Sequence, residues 1–368
     1  MTRLSYPPLF DSEPSLRSAF ERGLGKLLDI GGLNHFILVL ANASFGAPLF
    51  AALRERLWTQ YQGLHGSLRA ALQAGQRIEA AEDDLLVFLK IVTLGLDQLQ
   101  VTEQRAEGCW EVQFNQLRSF RPLRDSQRTL HAIHMPFDTQ AFHFNKPFLQ
   151  EEIIWSGELL GETVDLFYNK YPFADLHGLL VPDRQRCLPQ YLVWEVHEYV
   201  WCLVQHLGGS LPGVRVGYNA LGAFASVNHL HLQLFVRHQP LPVEYQHWRH
   251  NGGAGVYPVD CLVCDSADGA WSLIDRLHSE NRAYNLLYTP GRLYCLPRRK
   301  QGEFALADWS NGFSWYELCG GMITFNREAF ASLSEAHSTR ALVRASCEDL
   351  TPAGVCCGLP KRRFEDNA

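Results

Sequence analysis

The 368-residue sequence has no surplus of positive charge: 33 lysines and arginines stand against 39 aspartates and glutamates, a formal net charge of -6. That balance excludes a protein that grips nucleic acid through a broad basic surface, though it allows a local basic pocket. Met1 to Asp11 lacks an apolar signal core, which predicts a chain that is not secreted. An uninterrupted membrane-length run is missing too. The most apolar stretch, Phe36 to Leu53, is broken by Asn42, Ser44, Gly46 and Pro48 and has no anchoring charges, so it is read as buried in a soluble fold. The ten cysteines are scattered. At this length they do not describe a disulfide-built small fold, and they read as reduced thiols of a cytoplasmic protein. The CxxC at Cys261 and Cys264 lacks a second ligand pair at zinc-site spacing and is read as two buried small residues. The remainder, 46% hydrophobic and 20% charged, is that of a soluble globular protein able to fill one large domain or two smaller ones.

What is present centres on Asn228-His229-Leu230-His231-Leu232-Gln233-Leu234-Phe235. Polar and apolar residues alternate, the period of a strand, which puts His229, His231 and Gln233 on one face and three leucines on the other. The preceding loop, Asn219 to Asn228, is built of small residues around Gly222. Its backbone amides are expected to be open to a ligand, with Asn219, Asn228 and Ser226 as side-chain donors, a composition that suits a phosphate cradle.

Elsewhere the chain reads as an α+β protein. Residues 13 to 30 predict an amphipathic helix ending near Gly31-Gly32. Pro48 opens a second, whose stripe from Leu49 to Leu72 is divided at Gly63 and Gly66, and Asp83 to Leu99 predicts another. These helices are read as packing, or as an insert covering the site. Trp110 to Leu117 turns strand-like and is followed by Arg118, Arg121, Arg124 and Arg128, of which one or two are candidates for an anionic ligand. Phe142 to Pro147 predicts a strand ending at Lys146, a candidate phosphate contact. Strands are expected at Val164–Asn169 and Gly178–Pro182, a helix from Pro189 to about Leu207, and a strand at Val214–Asn219, giving strand, strand, helix, strand, strand. A hairpin over Pro290-Gly291 echoes the earlier one. Tyr168-Asn169 precedes Pro182 by 14 residues and Tyr284-Asn285 precedes Pro297 by 13, which hints at a duplication whose second copy runs to Phe325 without histidines.

Histidine suits attack on phosphorus, being partly neutral at pH 7 and forming a labile phosphoramidate. With the loop delivering the phosphate, His231 would react, Gln233 would donate to a non-bridging oxygen, and His229 would orient its neighbours. Three alternatives stay open: satisfied structural histidines, a cupin-like metal site on HxH, and a binding module without chemistry. The metal account lacks its carboxylate, since positions 234 to 243 hold no Asp or Glu.

These residues resemble the HxHxQ motif of the histidine triad superfamily, in the branch of galactose-1-phosphate uridylyltransferase and the phosphorylases. The run from Val216 through Leu232, with Leu241-Pro242-Val243-Glu244, Gln113-Phe114-Asn115, Arg118 and Phe142 through Lys146, is most similar to the GDP-hexose (GDP-D-glucose and GDP-L-galactose) phosphorylases. The resemblance implies a HIT-like antiparallel sheet with a crossover helix, in two halves. Residues 1–109 are then a largely helical region, 110–245 the catalytic half and 246–368 a degenerate half. It also implies His231 as nucleophile, Gln233 favouring transfer or phosphorolysis over hydrolysis, Asn169 at the ribose and Ser226 at a phosphate. The substrates implied are a nucleoside diphosphate sugar and inorganic phosphate, with no cofactor, no metal, no nucleic acid and no membrane. A homodimer is compatible. A diadenosine polyphosphate phosphorylase and a nucleotide-binding sensor are the competing readings. Two departures stand out: some GDP-hexose phosphorylases carry histidine at the place of Gln233, and the helical stretch from 36 to 99 has no match. The uridylyltransferases' zinc cysteines are absent, so no structural zinc is expected.

Overall fold

The computed structural model describes residues 7–121 and 129–347. Arg124 and Arg128 lie outside the described residues.

Four helices lead the chain: α1 (Glu13–Ile30), α2 (Leu33–Ala43), α3 (Ala47–Gln73) and α4 (Glu82–Leu94). Ser12 caps α1, its side chain accepting from the Ser15 N–H, and Gly31 and Gly32 end it with positive φ of 79° and 94°. The apolar stretch from Phe36 splits at residues 44–46 between α2 and α3, and the Phe36–Ala43 part is buried against its neighbours. Among the described residues no helix is long and apolar enough to cross a membrane. The predicted division of α3 does not occur, because Gly63 and Gly66 face open space and each costs only ~1 kcal/mol in a long helix.

β1 (Glu103–Glu107) and β2 (Trp110–Phe114) follow, then the single turn α5 (Gln116–Ser119). Next come β3 (Ile153–Leu159), β4 (Glu162–Tyr168), β5 (Gly178–Pro182), α6 (Trp194–Ser210), β6 (Val214–Asn219) and β7 (Leu232–Val236). From β4 onward this is the expected order of strand, strand, helix, strand, strand, and β3 is a strand that the sequence reading did not anticipate. The chain ends with β8 (Leu262–Cys264), α7 (Ala267–Ser279), β9 (Tyr284–Thr289), β10 (Arg292–Pro297), α8 (Trp315–Leu318), β11 (Gly321–Thr324), α9 (Arg327–Ser332) and α10 (Glu335–Ala345).

One fully antiparallel sheet runs β3-β4-β5-β7-β6-β9-β10-β8, so strands from both sides of residue 245 share it. A second sheet, β1-β2-β11, pairs β2 parallel with β11. The hairpin expected over Pro290-Gly291 is β9–β10, but the strand after it leaves for the small sheet and is not preceded by a long crossover helix.

Alternation sorts β7 between two cores. Leu232, Leu234 and Val236 join α6, α7 and the N-terminal helices on one face. Phe235 meets Trp315, Tyr316 and the small sheet on the other. Gln233 therefore faces the small-sheet side, away from the crossover helix.

Three local expectations are corrected. The helix begins at Trp194, not Pro189, because residues 188–193 are irregular and bond to the strand loops: Leu188 O accepts from Leu230 N and Gln190 N donates to Asn228 Oδ1. Phe142–Pro147 is a turn leading into a 3-10 segment, with Lys146 N donating to His143 O. Strand β7 starts only at Leu232, because the His231 N–H donates to the Gln190 side chain instead of a ladder partner.

Candidate active site

His231 sits just before β7 with both backbone groups held by one side chain. Gln190 Oε1 accepts from His231 N (2.8 Å) and Gln190 Nε2 donates to His231 O (3.1 Å) and Asn219 O (2.9 Å). The ring is oriented by the chain itself: Nδ1 lies 2.8 Å from the His229 carbonyl, to which only an N–H can bond. In the neutral ring that leaves Nε2 as a lone pair, and among the described residues no hydrogen bond to it is found. The residue is 5% exposed and lines the cleft described below. Burial pushes its pKa down to about 4, against a small opposite pull from the His229 carbonyl, so the ring is neutral at pH 7.

His229 stands behind this ring. Its Nδ1 accepts from Phe144 N (3.1 Å) and its Nε2 therefore donates to Arg184 O (3.1 Å), so both nitrogens are spent. Burial and the neighbouring His231 lower its pKa to about 4. A metal held by HxH needs a free nitrogen from both rings, and His229 offers none. Among the described residues no group of three or more His, Cys, Asp or Glu could hold a metal ion. Cys261 and Cys264 are half-buried, and burial raises both thiol pKa values, which disfavours thiolate ligation.

Gln233, 8% exposed, presents its amide to the same cleft. Its Oε1 is fixed by two donors, Trp315 Nε1 at 3.0 Å and His177 Nε2 at 3.1 Å. The His177 tautomer follows from its other nitrogen, since Nδ1 accepts from Phe173 N (3.3 Å). Asn169 Nδ2 lies 3.2 Å from the protonated Nε2 and makes no bond to it, while Asn169 Oδ1 accepts from Tyr171 N (3.0 Å).

The cleft has a volume of ≈ 880 Å³. Of the residues expected to act together, His231, Gln233, Asn169, Asn219, Ser226 and Arg118 line it. Arg118 donates to Tyr171 O (2.8 Å) and lies over the Phe173 ring at 4.5 Å, and burial lowers its pKa to about 10, so it stays charged. Asn219 is committed to structure, its Oδ1 accepting from Trp315 N and Asn285 Nδ2.

Four expected residues are not part of the cleft wall: His229, Gly222, Asn228 and Lys146. Gly222 shapes the loop with a φ of 78°, and its carbonyl accepts from Gln301 N. Asn228 braces Gln190 N and the carbonyls of Met135 and Pro136. Lys146 Nζ donates to Thr139 O. The expectation of open amides through the whole loop is corrected as well. The N–H groups of Ala220, Ala223 and Phe224 are bonded to Tyr284 O, Ala220 O and Gln301 Oε1, and beyond Phe224 the loop meets the cleft at Ser226 and Val227.

The N-terminal region supplies a wall. Asn34, Asp84 and Glu152 line the far part of the cleft with Lys170, whose Nζ is 2.6 Å from Asp84 Oδ1. Burial pushes the Glu152 carboxyl up to about 7. At the rim Phe142 and Phe148 are 48% and 56% exposed. Sequence reasoning missed Gln190 and Trp315. Neither has a local signal, since both act across more than 40 positions of chain.

Residues 109–235, the stretch carrying β2 through β7, match the family model described as GDPGP1-like, N-terminal domain. GDP-L-galactose phosphorylase 1 of Arabidopsis thaliana is 26% identical over 270 residues, which cover 61% of this chain and 60% of that protein. GDP-D-glucose phosphorylase 1 of Macaca fascicularis is 36% identical over 129 residues, 33% of each chain, and that of Danio rerio 31% over 150 residues, 40% of this chain and 42% of that protein. The chain thus spans between about a third and three-fifths of the length of these relatives. The crystal structure of yeast Ap4A phosphorylase Apa2 aligns with a TM-score of 0.46 at 16% identity, covering 73% of this chain and 95% of that one. The stretch that holds His231 and Gln233 is GDPGP1-like, and the chain is related in sequence to GDP-hexose phosphorylases.

Proposed function

We propose, from that kinship, that the protein is a nucleotidyltransferase that phosphorolyses a GDP-hexose through a covalent histidine. The observation that carries this reading is the state of His231: a neutral ring tied down at Nδ1, with an Nε2 that has no partner among the described residues, in a cleft beside a donor amide.

Nε2 attacks the α-phosphorus, and the bond from that phosphorus to the bridging oxygen breaks. The electron pair leaves with the hexose 1-phosphate, an anion stable enough to need no strong general acid. Positive charge developing on the ring is met by the Nδ1–H bond to the His229 carbonyl. Inorganic phosphate then attacks the guanylyl-histidine, releasing GDP and restoring the neutral ring. Overall, GDP-hexose and phosphate give hexose 1-phosphate and GDP.

Gln233, Ser226 and the cationic Arg118 surround the phosphates in this reading, with Asn169 at the ribose. The exposed Phe142 and Phe148 rings offer stacking faces for a purine, and the carboxylates of Asp84 and Glu152 accept from N–H or O–H groups of the remaining substrate. Half 110–245 carries the chemistry and the later residues brace it. The described cysteines are free, in keeping with a reducing cytoplasmic location.

The test is intact-mass measurement after incubation with GDP-glucose, with and without phosphate. A guanylyl adduct is expected that phosphate discharges and that His231→Ala abolishes. Turnover of diadenosine tetraphosphate instead would shift the substrate to a dinucleoside polyphosphate. No adduct and no turnover with either would overturn the enzyme reading.

A further inference from the structure

We propose that His177 and Trp315 are positioning residues which lock the side-chain amide of Gln233 in one of its two flip states, so that its N–H groups, and never its oxygen, face the phosphoryl group. The inference rests on the reading of His231 as the nucleophile and adds what makes the third residue of the motif work.

A glutamine amide is nearly symmetric in shape and reverses its polarity when it flips. Facing a phosphate, the wrong state places oxygen against oxygen. Nothing in HxHxQ prevents that flip. Two donors on the far side do: the indole N–H of Trp315 and the Nε2–H of His177 both end on Oε1. A flipped amide would set an NH₂ against both. Nε2 of Gln233 has no hydrogen-bond partner among the described residues and is the part left for a ligand.

Each lock is itself held. His177 is fully buried, and burial lowers its pKa to about 3 with Arg118 acting in the same direction, so the ring stays neutral. Its tautomer is set by Phe173 N, and Phe173 sits edge-on to it at 4.4 Å. The turn bearing Phe173 is pinned carbonyl by carbonyl from β2 and α5. Arg118 donates to Tyr171 O, Asn115 to Pro172 O (2.9 Å) and Gln113 to Phe173 O (3.1 Å).

Trp315 arrives from the stretch between Tyr284 and Phe325, which holds no histidine. Its N–H donates to Asn219 Oδ1 (3.0 Å), and its ring stacks on Phe235 at 4.9 Å. It lies flat on β6 because position 217 is glycine: a Cβ there would be 2.4 Å from the indole Cε2. The residues after 245 thus reach the Gln233 amide through the Trp315 indole nitrogen.

The experiment is a double-mutant cycle on adduct formation from GDP-glucose. Trp315→Phe keeps the ring and removes the donor. It is expected to slow the step ~10-fold, with KM for the nucleotide sugar changed less than about threefold, because the donor state matters most as charge builds. Gln233→Ala is expected to slow it ~100-fold, and the double variant to be no slower than Gln233→Ala, because the indole acts only through the amide. His177→Gln, which retains an N–H near the same place, is expected to exceed His177→Leu. Additive losses, or a Trp315→Phe enzyme as fast as the parent, would overturn the proposal.

A second readout does not depend on turnover. The Trp315 indole ¹H–¹⁵N resonance, identified by its loss in Trp315→Phe, is expected to move in Gln233→Ala, and an unmoved resonance overturns the lock. If the parent protein forms no adduct but the resonance moves, the function falls and the lock stands. Turnover with an unmoved resonance gives the reverse.

Discussion

At the scale of single residues, the chemistry depends on which nitrogen of each imidazole is free. His229 spends both, His177 spends both, and among the described residues His231 spends only Nδ1. Three histidines of one composition therefore have three roles, and hydrogen bonds rather than pKa separate them, because burial lowers all three to between about 3 and about 4. This makes a prediction about pH. A histidine nucleophile at its ordinary pKa of ~6.5 would lose activity as the pH fell through that value. His231, neutral down to about 4, is expected to form the adduct at a rate with no acid limb between pH 5 and 8. Single-turnover rates across that range, at saturating nucleotide sugar and in Glu152→Gln, which removes the one raised carboxyl of the cleft, check it; a limb near pH 6.5 that survives in that variant would show that the ring is solvated. The alternation in residues 228–235 was enough to put His231 and Gln233 toward one side, since side-chain direction follows from strand period. It could not assign the nitrogens of His229, whose partners at Phe144 and Arg184 are distant in sequence, or place His177, which meets Gln233 from 56 positions away.

At the scale of elements, β2 and α5 work as a clamp on a turn they do not adjoin in sequence. Asn115 is both the cap of α5, accepting from Arg118 N (3.0 Å), and the donor to Pro172 O. Asn115→Ala removes both bonds and is expected to cost ~1–2 kcal/mol of stability. It should also lower turnover several-fold beyond that loss, because the turn it releases positions Arg118 and His177. Urea unfolding set beside kcat at a concentration of folded protein confirmed by circular dichroism separates the two effects, and full activity in a destabilised variant would refute the clamp. The cluster was visible only as Gln113 and Asn115 within a strand-like stretch and Arg118 just after it. Its target was not, because β2 belongs to the small sheet and reaches the turn only through the stacking of layers. The strand order around α6 was legible from periodicity and Gly-Gly stops, whereas the late start of α6 was not, since Gln190 bonds across the sheet loops.

At the scale of the whole molecule, buried ionisable groups set the response to acid. Six histidines, 177, 197, 229, 231, 250 and 278, have pKa values lowered mainly by burial. Between their folded values and ~6.5 the unfolded chain binds protons that the folded chain refuses, so stability is lost as the pH falls below 6.5. Glu152 and Glu317, raised by burial, act in the opposite sense, the folded state holding a proton that the unfolded chain releases above ~4.5. Six groups against two predict a net decline from pH 6.5 toward 4, about 1.4 kcal/mol per pH unit for each net proton taken up on unfolding. Denaturant midpoints at several pH values measure this. A midpoint that rose on acidification would mean the carboxyls dominate.

The sequence by itself determined the local matters: strand against helix through residues 164 to 236, the direction of each side chain in the reactive stretch, and the type of chemistry that two imidazoles and an amide can do. Those follow from short-range sterics and from period, which a chain carries in its order of residues. The tertiary structure alone decided which nitrogen reacts, which face of the Gln233 amide meets the ligand, and that residues beyond 245 contribute Trp315 to the site. The last two rest on bonds of about 3 Å between residues tens of positions apart, and the first on the bond from His231 to the His229 carbonyl in a turn that Gln190 holds from 41 positions away; only the packing of one layer on another brings such atoms together.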